Sequence, residues 1–136
     1  MKKFTDNIGI DKVNFLSEAE VRSLYYWSMG DYGGLKSVSD QGKLESSISE
    51  PKTTYGYTED IYQTAAAYGY FFCKNHVFGD GNKRVAYTTM RAFLLKNGYD
   101  IIATEEEKME IMLQVAKSQM DKNGLAVWLQ QHIKIL

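Results

Sequence analysis

His76, Asp80, Asn82, Lys83 and Arg84 bring an imidazole, a carboxylate, a carboxamide, an ammonium and a guanidinium into one short run, His76-Val77-Phe78-Gly79-Asp80-Gly81-Asn82-Lys83-Arg84. That set suits chemistry on a phosphate group. An imidazole titrates near cellular pH, so His76 is the candidate general base. Gly79 and Gly81 let the backbone approach an anion closely. Lys83 offers a point charge and Arg84 a fork for two phosphate oxygens, with Asn82 adding a neutral donor. Asp80 would repel a bare phosphate. It fits if a divalent cation bridges the two, and Mg²⁺ is the ion that takes one carboxylate plus phosphate oxygens. Each group also has a plainer role. A histidine between helices commonly serves as a structural hydrogen-bonder, Asp80 could cap the next helix, and Lys83 and Arg84 could be solvated surface. Their convergence on one loop and one helix start argues for a phosphate site, catalytic or not.

Helices must position that run. Ser17 with Glu20 makes a capping box ahead of a helix carrying Val21, Leu24, Tyr25 and Trp27, which fades at Gly30. Asp31 to Gly42 is rich in turn formers and reads as an irregular loop or short hairpin. Lys43 to Ser49 reads as a short helix ended by Glu50-Pro51, and Thr53 to Tyr57 as a second turn-rich stretch. Thr58 should cap a longer helix whose Ile61, Ala65, Tyr68 and Phe72 share one inward face and which ends near Asn75. The next helix should run from Gly81-Asn82 to the cap pair Asn97-Gly98. Phe78 is expected to be a buried anchor for the loop between them. Tyr99 to Ala103 reads as extended. Thr104 with Glu107 forms another capping box before Ile111, Met112 and Val115, and Glu105-Glu106-Glu107 reads as a solvated first turn. A last helix carries Leu125, Trp128, Leu129 and Ile133. The expected fold is all-α, a compact helical bundle with at most one small hairpin.

The whole chain narrows the function classes. Its 136 residues fit a single domain, 1–136. The net charge of −1 carries no basic field for nucleic acid. The single cysteine, Cys73, excludes an internal disulfide and a Cys-cluster zinc site, and its apolar surroundings suggest a buried small side chain. No stretch approaches the roughly 20 apolar residues of a membrane span. The basic start Met1-Lys2-Lys3 has no apolar run behind it, so a cytoplasmic location is expected.

His-x-Phe-x-Asp-Gly-Asn-Lys-Arg over residues 76 to 84 resembles the signature of the Fic/Doc family, and in particular its Doc (death-on-curing) toxin branch. Tyr32-Gly33-Gly34-Leu35, Ser39-Asp40-x-Gly42, Leu44-Glu45-Ser46 and Phe93-Leu94-Leu95-x-Asn97-Gly98 extend the resemblance, which covers roughly residues 20 to 135. It implies the Fic fold with a small flap upstream of the motif that holds a target in extended form. It implies His76 as catalytic base and Asp80 as the Mg²⁺ carboxylate. It also implies Asn82 and Arg84, with the backbone around Gly79 and Gly81, as the phosphate cradle, and ATP as the substrate nucleotide. Most Fic proteins transfer AMP to a hydroxyl. Doc-like members are thought to bind the nucleotide reversed and transfer the γ-phosphate, to a threonine of elongation factor Tu, which arrests translation. Lys83 stands where the AMP-transferring branch typically has Gly, and Tyr87 where it has Arg. Both departures favour phosphoryl transfer, whereas Gly81 follows the general Fic pattern rather than the best-known Doc motif. AMP transfer is the alternative, and a non-catalytic module binding nucleotide or a partner is the third reading.

The chain contains no Glu-Gly or Glu-Asn dipeptide, so the inhibitory helix that many Fic proteins carry is not expected. The resemblance therefore implies a separate antitoxin whose disordered tail folds into a groove on the toxin.

Overall fold

The structure, a computed structural model, describes residues 12–29, 38–79 and 81–136. In these residues the chain forms α1 (Glu18–Met29), α2 (Gln41–Thr58), α3 (Ile61–Lys74), α4 (Asn82–Lys96), β1 (Tyr99–Ile101), α5 (Glu105–Ala116), α6 (Lys122–Gln131) and β2 (Ile133–Ile135). The expected all-α bundle is the fold observed. The hairpin anticipated between Asp31 and Gly42 falls largely outside the described residues.

α3 is the centre. It packs against α2, α4, α5 and α6, and Thr64 to Gly69 are all buried. The sequence pattern showed one inward face, but the helix is enclosed on most of its circumference. Small residues make that possible. A Cβ added at Gly69 would lie 2.6 Å from Met90 Sδ and 3.2 Å from Leu125 Cδ2, so α4 and α6 both close directly on this position. Gly69→Ala is therefore expected to destabilise the fold by about 1–3 kcal/mol through overpacking, although alanine is the better helix former. Urea unfolding would measure it, and a stabilised variant would refute the packing argument.

Several starts and stops follow local rules. Ser17 and Glu20 exchange reciprocal bonds of 3.1 and 2.9 Å at the head of α1, and Thr104 and Glu107 do the same for α5. Four local readings need correction. α2 is not a short helix ended at Pro51. It starts at Gln41, capped by Asp40, and runs through Pro51 to Thr58, absorbing the stretch from Thr53 to Tyr57 that looked turn-rich. Its buried residues are Leu44, Ser47, Pro51 and Thr54, one face at helical spacing. Two of the four are polar, which hid the period, and the proline ring itself is buried. Burial of that face outweighs the roughly 3 kcal/mol that an interior proline costs. The cap of α3 is Asp60, whose carboxylate accepts the Tyr62 and Gln63 N–H groups, rather than Thr58. The Thr58 hydroxyl instead donates to the Thr54 carbonyl at 2.8 Å and accepts the Asp60 N–H at 3.2 Å.

Ile133 does not continue the last helix. α6 is capped at His132, and Ile133 opens β2, which pairs antiparallel with β1 in the register Tyr99↔Ile135. On α1, Val21 and Tyr25 are buried but Trp27 is 84% exposed. Trp27 lies two residues beyond Tyr25, so helical geometry turns it away from the inward face. Among the described residues, no helix is long and apolar enough to cross a membrane.

Two ion pairs tie the C-terminal half of α4 to its neighbours. Lys96 Nζ holds the Glu20 carboxylate at 2.8 Å, and Arg91 grips Asp100 of β1 with bonds of 2.8 and 3.1 Å. The Lys96 bond pulls the Glu20 carboxyl below its ordinary 4.5, and the Arg91 bond pulls Asp100 below its ordinary 3.8. Both groups bind protons less readily folded than unfolded. Their contribution is complete above the unfolded values and drains away as pH falls through the folded ones. Both pairs are substantially exposed, so the effect is small. The urea midpoint is expected to be level above about pH 5 and to decline below about pH 4. A midpoint unchanged down to about pH 3 would contradict this.

Candidate active site

The motif occupies the turn from α3 into α4. Asn75 caps α3, its N–H donating to the Phe71 carbonyl at 2.9 Å. His76 then adopts a left-handed backbone with φ 51°, an uncommon conformation for a residue with a side chain. Val77 and Phe78 turn into the core, exposed by 0% and 2%. Phe78 is the anchor expected from the sequence. Its ring stacks on Tyr25 of α1 with centroids 4.1 Å apart and planes 5° from parallel. The imidazole of His76 stays exposed beside this anchor, and among the described residues its ring takes part in no hydrogen bond.

The phosphate-binding candidates divide by role. The Asn82 carboxamide accepts the Phe78 N–H at 3.0 Å and donates to the Phe78 carbonyl at 2.9 Å. It thus closes the loop on itself, a function that the motif spacing did not reveal. Gly79 is exposed, and a Cβ added there would meet nothing within 4 Å, which leaves open space over the backbone. Gly81 has φ 74° and is the N-cap of α4, where a side chain would be strained. Among the described residues no side chain caps α4. By contrast Asp40, Asp60, Thr104 and Asp121 cap α2, α3, α5 and α6. The positive end of the α4 dipole favours a negative group at this turn. Lys83 and Arg84 are exposed on its first turn. Arg84 Nη1 donates to the Ser28 carbonyl at 3.1 Å, so the guanidinium is steadied from α1. Asp80 lies outside the described residues.

Two nearby residues are excluded from a catalytic part. Cys73 is buried. Burial pushes its thiol up, only partly countered by the Lys74 and Lys83 ammonium groups, so little thiolate forms. Tyr87 sits one turn beyond Arg84, with the Lys108 ammonium of α5 5.6 Å from its ring centroid. Burial raises its hydroxyl to about 12. This turn therefore presents a neutral ring packed towards α5 rather than a cation. Clefts of about 260 and about 340 Å³ lie elsewhere, around Thr54 and Lys122 and around Glu107 and Trp128.

Sequence reasoning missed the bracing that the loop receives from α2 and from the segment just before it. The Asn75 Nδ2 donates to the fully buried Ser47 Oγ at 2.8 Å. Ser39 N–H donates to the Val77 carbonyl at 3.0 Å, and Val38 forms an isolated antiparallel bridge with Phe78. Ser39 and Ser47 lie more than 25 residues upstream in turn-like or polar sequence; the Ser39-Asp40-x-Gly42 stretch carried the resemblance, but nothing local tied either serine to this loop.

The comparisons with known proteins bear on the family. A family model described as the Fic/DOC family matches residues 15–94. The chain is 31% identical over 93 residues to "Protein kinase doc" of Escherichia phage P1, covering 67% of this chain and 74% of that protein. It is 32% identical over 101 residues to "Toxin Doc" of Mycolicibacterium smegmatis, covering 70% of this chain and 77% of that protein. The match spans α1 to α4, and with them the turn that carries His76: the chain belongs to the Fic/DOC family.

Proposed function

We propose that this protein is a Doc-type toxin that transfers the γ-phosphate of ATP to a hydroxyl of a protein target, a threonine of elongation factor Tu, and so arrests translation. The observation that carries this reading is an exposed imidazole in the turn that leads into α4, whose N-cap is Gly81 with φ 74°. The names of the two relatives, a kinase and a toxin, support it.

In this reading the backbone from Gly79 to Gly81, the start of α4, Lys83 and Arg84 hold the phosphates, with Asn82 keeping the loop in shape. His76 takes the proton of the attacking hydroxyl. A bond forms from that oxygen to the γ-phosphorus as the bond from the γ-phosphorus to the bridging oxygen breaks, and ADP leaves. Among the described residues, no three His, Cys, Asp or Glu groups converge on a common point. A single carboxylate, Asp80, completed by phosphate oxygens, is the donor set that suits Mg²⁺. When bound, Mg²⁺ would neutralise charge on the phosphates. Tyr87 supports γ-transfer over AMP transfer, since it puts a neutral ring where the AMP-transferring pattern has a guanidinium. An antitoxin with a tail that folds on binding would restrain the activity in the cell.

The test is incubation of the purified protein with Mg²⁺, bacterial extract and ATP labelled at either the α- or the γ-phosphate. Label from γ alone, on a band at elongation factor Tu, is expected. Label from α would make the protein an AMP transferase, and no label from either would favour a binding module.

A further inference from the structure

We propose that Ser39 is a positioning residue that staples the backbone of residue 76 in its left-handed conformation and thereby sets where the catalytic imidazole stands. This rests on the reading of His76 as the base. The Ser39 hydroxyl lies 3.3 Å from the His76 carbonyl and 3.1 Å from the Val77 carbonyl, sharing its proton between them. The Ser39 N–H donates to the Val77 carbonyl at 3.0 Å. Val38, the preceding residue, bridges to Phe78. Ser39 therefore meets the motif loop through both its backbone and its side chain.

The need for a staple follows from the φ of 51° at His76. The left-handed region is disfavoured for any residue with a Cβ, and an unrestrained chain returns to negative φ. That rotation would redirect the imidazole. Neither neighbour can prevent it alone. Asn75 is fixed to α3 and to Ser47 before the twist, and Phe78 is fixed by Tyr25 and Asn82 after it. Between those two anchors, the Ser39 hydroxyl is the side-chain donor recorded at the His76 carbonyl. Ser39 is exposed and fills no core space, so its hydroxyl can be removed without opening a cavity.

The experiment compares wild type, Ser39→Ala and Ser39→Thr in the γ-phosphate transfer assay, with the ¹³Cα and ¹³Cβ shifts of His76 recorded in parallel. Ser39→Ala is expected to lower kcat by about 10- to 100-fold, with KM for ATP nearly unchanged, and to move the His76 shifts towards negative-φ values. Ser39→Thr keeps the hydroxyl and is expected to restore both. If wild type shows transfer and Ser39→Ala keeps both kcat and the His76 shifts, the staple is refuted while the catalytic reading stands. A kcat loss that Ser39→Thr leaves unrepaired would also refute it. If wild type shows no His76-dependent transfer, the reading of His76 as base falls, and the proposal falls with it.

Discussion

His76→Asn is expected to lower transfer by about 10²- to 10⁴-fold, the usual yield of a positioned general base, with little change in fold. The choice of asparagine follows from the backbone. His76 has φ 51°, and asparagine tolerates the left-handed region better than alanine does. An alanine variant would mix loss of the base with relaxation of the loop. The imidazole is exposed, so its removal opens no cavity, and thermal unfolding should match wild type within about 0.5 kcal/mol. The loss should fall on kcat rather than on KM for ATP, because a base acts on the attacking hydroxyl and not on nucleotide binding. Undiminished transfer by a folded His76→Asn protein would remove His76 from the mechanism.

Phe78→Ala should produce the largest loss of stability near the site, about 3–5 kcal/mol. The ring is 2% exposed and stacks on Tyr25 at 4.1 Å, and such stacking adds about 0.5–1.5 kcal/mol to burial alone. A total stability of about 5–15 kcal/mol is ordinary for a domain, so the variant should be close to unfolding at physiological temperature. Activity should fall even at low temperature, where the protein remains folded. The reason is that Phe78 fixes the end of the turn that begins at His76, and Asn82 holds the Phe78 backbone on both sides. Urea unfolding and cold transfer assays measure the two effects separately. A destabilisation below about 1 kcal/mol would mean that the loop is held by something other than this ring.

The candidate residues were readable because they are local. One run of sequence carries His76, Gly81, Lys83 and Arg84, and the helix start that serves them is the next few residues of the same chain. Capping boxes at Ser17–Glu20 and Thr104–Glu107 were readable for the same reason, since each bond spans only three residues. Pro51 misled because its local cost is real, but what offsets it is burial of the α2 face, which local sequence does not show. β2 was missed because a three-residue strand has no pattern of its own, and its partner β1 lies more than 30 residues earlier.

By itself, the sequence determined which groups can act on a phosphate, that they flank one helix start, and that the chain around them is helical. Those properties depend on side-chain type and on hydrogen bonds over three or four residues. Only the tertiary structure decided the rest. It turned the Asn82 carboxamide onto the Phe78 backbone, steadied Arg84 from Ser28 of α1, packed Tyr87 towards α5 and brought Ser39 against the His76 carbonyl. The Arg84, Tyr87 and Ser39 contacts join segments distant in the chain. They exist because burial of α3 draws the other helices around it, and no local preference encodes which distant group then arrives beside which.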